Sequence, residues 1–404
     1  MARAPFRRNS WPTLGVELEL QLIDARTLAL RSAIAELLAA LPPAWHDSVK
    51  PEFMQCYVEI NSEVGRTVGE VGTDLARKVR AVERAADGLG LRLFWGATHP
   101  FSRWQDQRIT PDERYCRLAE QLQETVIRGV TFGLHVHVGV DSGDTAIRVG
   151  DRLGAHLPIL LAMSANSPFW HGRRTGHHAY RVEALEVLPT GGVPPRMRSW
   201  EDYEAVVGQL QAAGFIDSRR ELWWDVRPNP EHGTIEVRIC DMPPDLASVL
   251  ALTALIQCLV HDLARATAGV PAESDWSPLM IRQNRWRAYR AGLGATLVDP
   301  RTLEARPARE LAGRLIEGLL DTAGELGCAR HLGLARDLVE RPNGAERQIA
   351  LFEEYGDLAA VVDSLAATSR LSPGPPIARW APALPAVAPL EGFDAHPRTA
   401  WPIS

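Results

Sequence analysis

Apolar and polar positions alternate along several short stretches of this chain. In Gly15-Val16-Glu17-Leu18-Glu19-Leu20 every second residue is aliphatic. The same two-residue period recurs at Gln55–Asn61, Leu134–Val138 and Thr234–Ile239. A period of two puts alternate side chains on opposite faces of a strand. With β-rich content as the second criterion, strands are expected at Thr13–Asp24, Gln55–Val64, Leu91–Ala97, Thr131–Val140 and Gly233–Asp241. Helical spacing fills the intervals, at about 29–41, 71–89, 111–128, 144–166 and 200–213. Leu246–Ala268 is apolar on nearly all sides and reads as a buried helix. Segments 280–291, 308–326 and 345–367 predict a helical C-terminal layer. The class is α+β, and strict alternation favours an antiparallel sheet with one polar face.

The polar faces hold an unusual selection of residues. Glu17 and Glu19 share a face, with Val16, Leu18 and Leu20 on the other. Tyr57, Glu59 and Asn61 face away from Cys56, Val58 and Ile60; His135 and His137 oppose three aliphatics; Glu236 and Arg238 oppose Ile235, Val237 and Ile239. A solvated sheet face mixes Lys, Ser and Thr. These faces concentrate carboxylates, imidazoles and arginine, with no lysine. Crowded carboxylates repel one another unless cations neutralise them. Hard oxygen ligands suit Mg²⁺, which bridges protein carboxylates to substrate phosphates.

Composition narrows the chemistry. The 404 residues are 46% hydrophobic with a net charge of −6, which gives no general attraction to nucleic acid. Lys50 and Lys78 are the only lysines and no GxxxxGK[ST] run exists, so phosphate must be met by arginine, backbone amides and metal. Five cysteines without CxxC spacing argue against a disulfide framework or zinc–thiolate site and point to a reducing cytoplasm. Residues 1–12 lack an apolar stretch of signal-peptide kind, and no apolar run reads as membrane-spanning, so no membrane partner is expected.

Seven pieces in order resemble the glutamate–cysteine ligase type 2 family, in its bacterial carboxylate–amine ligase branch. They are GVELEL (15–20), PEFMQCYVEINSEV (51–64), GLHVHVGV (133–140), the YR…LPTGG stretch (180–192), WWDVRP (223–228), GTIEVRICD (233–241) and NRWRA (284–288). The resemblance implies a glutamine-synthetase-like fold, a curved antiparallel sheet forming a funnel with helices outside. It implies ATP-dependent formation of an acyl phosphate from one small carboxylate and its capture by an amine, with amino acids as the expected substrates. By motif, Glu17, Glu19, Glu52, Glu59, His135 and Glu236 would hold Mg²⁺. Arg238 would contact the transferring phosphoryl group and, with Glu236, carry catalysis. Arg238 and Arg227 would meet the nucleotide. Arg181 would bind the substrate carboxylate, and His137 and Ser62 would line the substrate site. Glu52 lies seven residues before Glu59, so a bulge or the strand entrance must present it. Glu63 stands where many relatives have proline, and its place on the polar face makes it a candidate for altering substrate choice.

In this reading 1–295 is the ligase core, 296–370 a helical layer of the same domain, and 371–404 an extended tail with eight prolines. Trp380, Phe393 and Trp401 suggest that the tail packs on its own subunit or on a partner in a homo-oligomer. Two alternatives stay open: a nucleotide- or amino-acid-binding protein of the same fold without turnover, and a zinc amidohydrolase suggested by His135-Val136-His137.

Overall fold

The structure, a computed structural model, describes residues 6–268, 277–299 and 302–372. The tail aromatics lie outside the described residues. Seven strands make one open, wholly antiparallel sheet. They are β1 (Leu14–Asp24), β2 (Val49–Lys50), β3 (Tyr57–Asn61), β4 (Leu91–Phe94), β5 (Leu134–Gly139), β6 (Val226–Asn229) and β7 (Thr234–Val237). The order is β2-β3-β1-β5-β7-β6, and β4 pairs with the last four residues of β1. The helices used below are α1 (Val68–Gly88), α2 (Glu113–Leu122), α3 (Tyr180–Glu186), α4 (Leu246–Ala266) and α5 (Pro278–Ala291).

The alternation sorts the sheet as expected. Val16, Leu18, Leu20, Val58, Ile60, Val136, Val138, Ile235 and Val237 are all buried in one apolar layer. Helix α1 packs there through Val71, Leu75, Val79, Val82 and Ala86, a 3–4 residue stripe. It begins at a capping box in which the Thr67 hydroxyl accepts from Glu70 N–H and the Glu70 carboxylate returns the bond. Helix α4 is long and apolar enough to cross a membrane, but most of it is buried, so burial in the core accounts for its composition. The C-terminal helices share this core: Leu311, Leu332 and Ala345 belong to the same cluster as Leu18.

Departures from the sequence reading have local causes. Strand β6 escapes notice because Pro228 argues against a strand interior; it is tolerated here because β6 is the sheet edge. Strand β7 stops at Val237 because Arg238 and Ile239 N–H groups both donate to the Asp225 carbonyl, a bulge-like arrangement. The helix expected over 111–128 breaks at Gln123, where φ is 49°. The one over 345–367 breaks at Gly356, which takes the left-handed C-cap conformation before Asp357 caps the next helix. The one over 144–166 divides into Gly143–Leu153 and Leu157–Ser164, with Pro158 in the first turn of the second. Helices α3 and Ala329–Glu340 were not anticipated.

The β6–β7 turn is clasped by the N-terminal segment. Asn9 Nδ2 donates to the carbonyls of His232 (2.9 Å) and Gly233 (2.7 Å), and Arg7 N–H donates to Pro230 O (3.0 Å). Gly233 has φ +67°, and a Cβ there would collide with the Arg7 carbonyl. Gly233→Ala is therefore expected to cost about 1–3 kcal/mol, read as a lowered thermal or urea midpoint. A midpoint equal to that of the wild type would exclude this close packing.

Candidate active site

Register brings the polar side chains of four strands side by side. Glu17 lies opposite His135 on one flank and Asn61 on the other; Glu19 faces Glu59, and His137 faces Glu236. Above this face is a cavity of about 390 Å³, walled by residues of α2 and α3, the 220–232 stretch and Arg285 from α5. Its floor is the polar sheet face and its charges fall into two groups.

At one end Glu236, 1% exposed, is held between two guanidinium groups. Arg227 donates through Nε (3.0 Å) and Nη2 (3.2 Å), and Arg238 donates through Nη1. Burial alone would push this carboxyl up; Arg227, Arg238 and His137 more than offset that and hold it far below the usual range. His137 shows the converse balance. Burial disfavours the imidazolium, but Glu236 (3.7 Å) and Glu17 (3.3 Å) outweigh it and raise its pKa. Its Nδ1 lies 3.0 Å from Thr234 Oγ1. Burial also pushes Glu17 up, and again the bonds from His135 and His137 prevail, leaving it well below the usual range. One donor atom each from Glu17, His135 and Glu236 lies within 4.8 Å of the others.

The other end lacks such compensation. Glu52 and Glu59 are hydrogen-bonded to each other, and both are raised, first by burial. Glu59 is raised further by the charges of Glu52 and Glu17, and Glu52 by Glu19. Tyr115 Oη (3.4 Å) and the Phe53 N–H (3.1 Å) donate to Glu52, and Asn61 Nδ2 donates to Glu59 (2.8 Å). Glu19 accepts from Gly133 N–H, and its second oxygen lies 3.8 Å from His135 Nε2. Among the described residues the His135 Nε2 atom is buried without a hydrogen-bond partner, whereas His137 Nε2 is taken up by Glu17. A buried carboxylate cluster beside an unpartnered imidazole nitrogen is a donor set that a hard divalent cation fits.

Glu17, Glu19, Glu52, Glu59, His135, His137, Arg181, Arg227, Glu236 and Arg238 thus all line one cavity. Glu52 gets there from the segment between β2 and β3, where a bridge between Met54 and Ile109 redirects the chain before β3 begins. Arg227 spends its donors on Glu236 and on the carbonyls of Arg219, Arg220 and Leu222, so it braces Glu236. Arg181 is 4% exposed and donates to the Arg238 and Ile239 carbonyls. Ser62 is not gathered into the cavity; its Oγ accepts from Val16 N–H (3.0 Å). The expectation for Glu63 fails: it lies beyond the end of β3, exposed, and pairs with Lys78 (3.2 Å) on α1, away from the site. Cys240 is buried in the core, which pushes its thiol up to about 12. Asp225 and Arg285 were missed as site residues although both sit inside quoted motifs. Arg285 grips Asp225 (2.8 Å) and Glu186, joining α5, α3 and the segment before β6.

Comparison with known proteins bears on the family. The sequence model of Glutamate-cysteine ligase family 2 (GCS2) matches residues 13–364. A relative from Gloeobacter violaceus named "Putative glutamate--cysteine ligase 2" is 41% identical over 365 residues, covering 90% of this chain and 98% of the relative. One of the same name from Solibacter usitatus is 38% identical over 352 residues, covering 87% and 91%. A solved glutamate–cysteine ligase from Francisella tularensis, in complex with AMP, superposes with a TM-score of 0.65 at 11% identity, covering 91% of this chain and 90% of that one. That likeness shows a common fold. A zinc amidohydrolase barrel, which is parallel, is excluded by the antiparallel sheet.

Because Glu52 and Glu59 are raised, the metal-free folded chain binds more protons than the unfolded one over that range. Its stability therefore falls as pH rises through the raised values. A divalent cation bound at these carboxylates would offset that loss and would have to displace the bound proton. Titration calorimetry with Mg²⁺ in buffers of different ionisation enthalpy is expected to show proton release and an affinity that rises with pH. Glu59→Gln is expected to reduce the release, leaving the part due to Glu52; undiminished release in that variant would exclude this account.

Proposed function

This chain belongs to the glutamate–cysteine ligase family 2, and from that premise we propose that it is an ATP-dependent carboxylate–amine ligase working through an acyl phosphate. Glutamate and cysteine, named by the family, are the first substrates to test. The observation that carries the proposal is the convergence of Glu17, His135 and Glu236 within 4.8 Å, with Arg238 bonded to Glu236. A zwitterionic or anionic substrate and a triphosphate both need such a mixed field, in which carboxylates hold metal and guanidinium groups meet oxyanions.

In this reading Glu17, His135 and Glu236 would hold one Mg²⁺, and Glu19, Glu52 and Glu59 would hold another. When bound, Mg²⁺ supplies charge neutralisation for the phosphate oxygens. A substrate carboxylate oxygen attacks the γ-phosphorus of ATP, ADP departs, and the acyl phosphate remains. The neutral amine nitrogen then attacks the acyl carbon, phosphate leaves with the bonding pair, and the surplus N–H proton passes to the departing phosphate or to water. Arg238, tethered by Glu236 with its Nη1 3.4 Å from His135 Nδ1, would meet the transferring group with little reorganisation. Arg227 holds Glu236 from the other side. Despite its burial, His137 is biased toward its protonated form by Glu236 and Glu17. Free cysteines, none of them in a disulfide among the described residues, accord with a cytoplasmic setting.

ADP release in the presence of Mg²⁺, ATP and pairs of amino acids tests the activity. ATP binding without release for any pair would favour the non-catalytic alternative. Arg238→Lys keeps the charge but loses the planar fork, so turnover is expected to fall about hundredfold or more. ATP affinity should change less, because the contact strengthens in the transition state. Unchanged turnover in this variant would remove Arg238 from the chemistry.

A further inference from the structure

The cavity's cations differ in whether they are already committed. Arg227 and Arg238 are bonded to Glu236, Arg285 to Asp225 and Glu186, and Arg181 to two backbone carbonyls. Lys50 and Arg220 stand on the rim, exposed. Arg114 is different. It is half-buried on the first turn of α2 and lines the cavity. Its guanidinium makes no hydrogen bond or ion pair with any described residue. Its Nε is buried and unpartnered, as is that of Arg181, but Arg181 commits its Nη1 to the two carbonyls. The group lies 5.5 Å from the Tyr115 ring centroid, and Tyr115 Oη donates to Glu52. Glu52 feels the charge of Arg114 but does not bond to it.

A half-buried guanidinium without an anion is costly unless a ligand supplies one, and its fork matches a carboxylate. Its position bears on which carboxylate. The activated carboxylate belongs beside Arg238, on the Glu236 side. Arg114 lies on the opposite side, next to Glu52, where carboxylates favour a nitrogen nucleophile over any free anion. An α-amino acid carries amine and carboxylate on one carbon and so suits both. Phe53, whose ring meets Tyr115 edge-on at 5.7 Å, and Leu118 offer apolar surface beside it. Resting on the ligase reading above, we propose that Arg114 is a specificity-determining residue that binds the carboxylate of the amine substrate, so that the acceptor is an α-amino acid and its decarboxylated amine is rejected. A site built to bond a polar group discriminates strongly against the analogue lacking it.

The test is calorimetric binding to the full chain with Mg²⁺ and a non-hydrolysable ATP analogue, using L-cysteine against cysteamine, L-alanine against ethylamine and L-leucine against isoamylamine. The wild type is expected to bind at least one amino acid tighter than its amine by about tenfold or more. Arg114→Gln should remove that difference while leaving the affinity for the nucleotide analogue unchanged, which also verifies folding. Arg114→Lys should recover part of it. Equal affinity for acid and amine in the wild type, binding of none of the panel, or discrimination retained in Arg114→Gln would overturn the proposal. ADP release is scored separately: discrimination lost with Arg114→Gln but no ADP release from the wild type would reject the ligase reading and retain the carboxylate subsite.

Discussion

Glu236 is a carboxylate almost wholly removed from water, and the site is organised around keeping it ionised. An unpaired buried carboxylate costs several kcal/mol and would take up a proton instead. Here Arg227 and Arg238 grip it from two sides, with His137 beyond. Each partner is itself fixed. Arg227 is anchored by three carbonyls before β6, and Arg238 sits on the bulge closed by the Asp225 carbonyl. Asp225 is held by Arg285, which reaches to Glu186 on the helix bearing Arg181. A chain of ion pairs and backbone hydrogen bonds thus runs from the sheet edge to two helices, and its inner end is the buried Glu236 carboxylate.

The opposite end of the cavity is left unbalanced. Glu19, Glu52 and Glu59 crowd together, none of them bonded to an arginine among the described residues, and Glu52 and Glu59 respond by holding protons more tightly. The contrast divides the labour of the cavity. Where guanidinium groups neutralise the carboxylate, the site is preformed. Where they do not, the free energy of the cluster is lowered by whatever cation enters. A native structure tolerates such local frustration where binding relieves it.

The two-residue period was enough to assign Glu17, Glu19, Glu59, His135, His137 and Glu236 each to the polar face of its own strand, because a strand leaves each side chain only two directions. It also assigned Leu18 and Cys240 to the core, where both are buried. Ordered motifs gave the family. Periodicity has no reach beyond the strand that carries it. It could not say that β1 lies between β3 and β5, which brings Glu59 and His135 to either flank of it, nor that a Pro-containing edge strand would deliver Arg227 to Glu236. Glu63 shows the same limit: alternation assigned it to the site, but the strand had ended two residues earlier and Lys78 drew it toward α1. Glu52 and Arg114 entered from segments outside the sheet, placed by contacts distant in sequence. The sequence by itself determined which side chains share a strand face, since that follows from local backbone geometry. Only the tertiary structure decided which carboxylates are neutralised and which cation is left without a partner, since charge balance depends on neighbours brought together by strand order and helix packing.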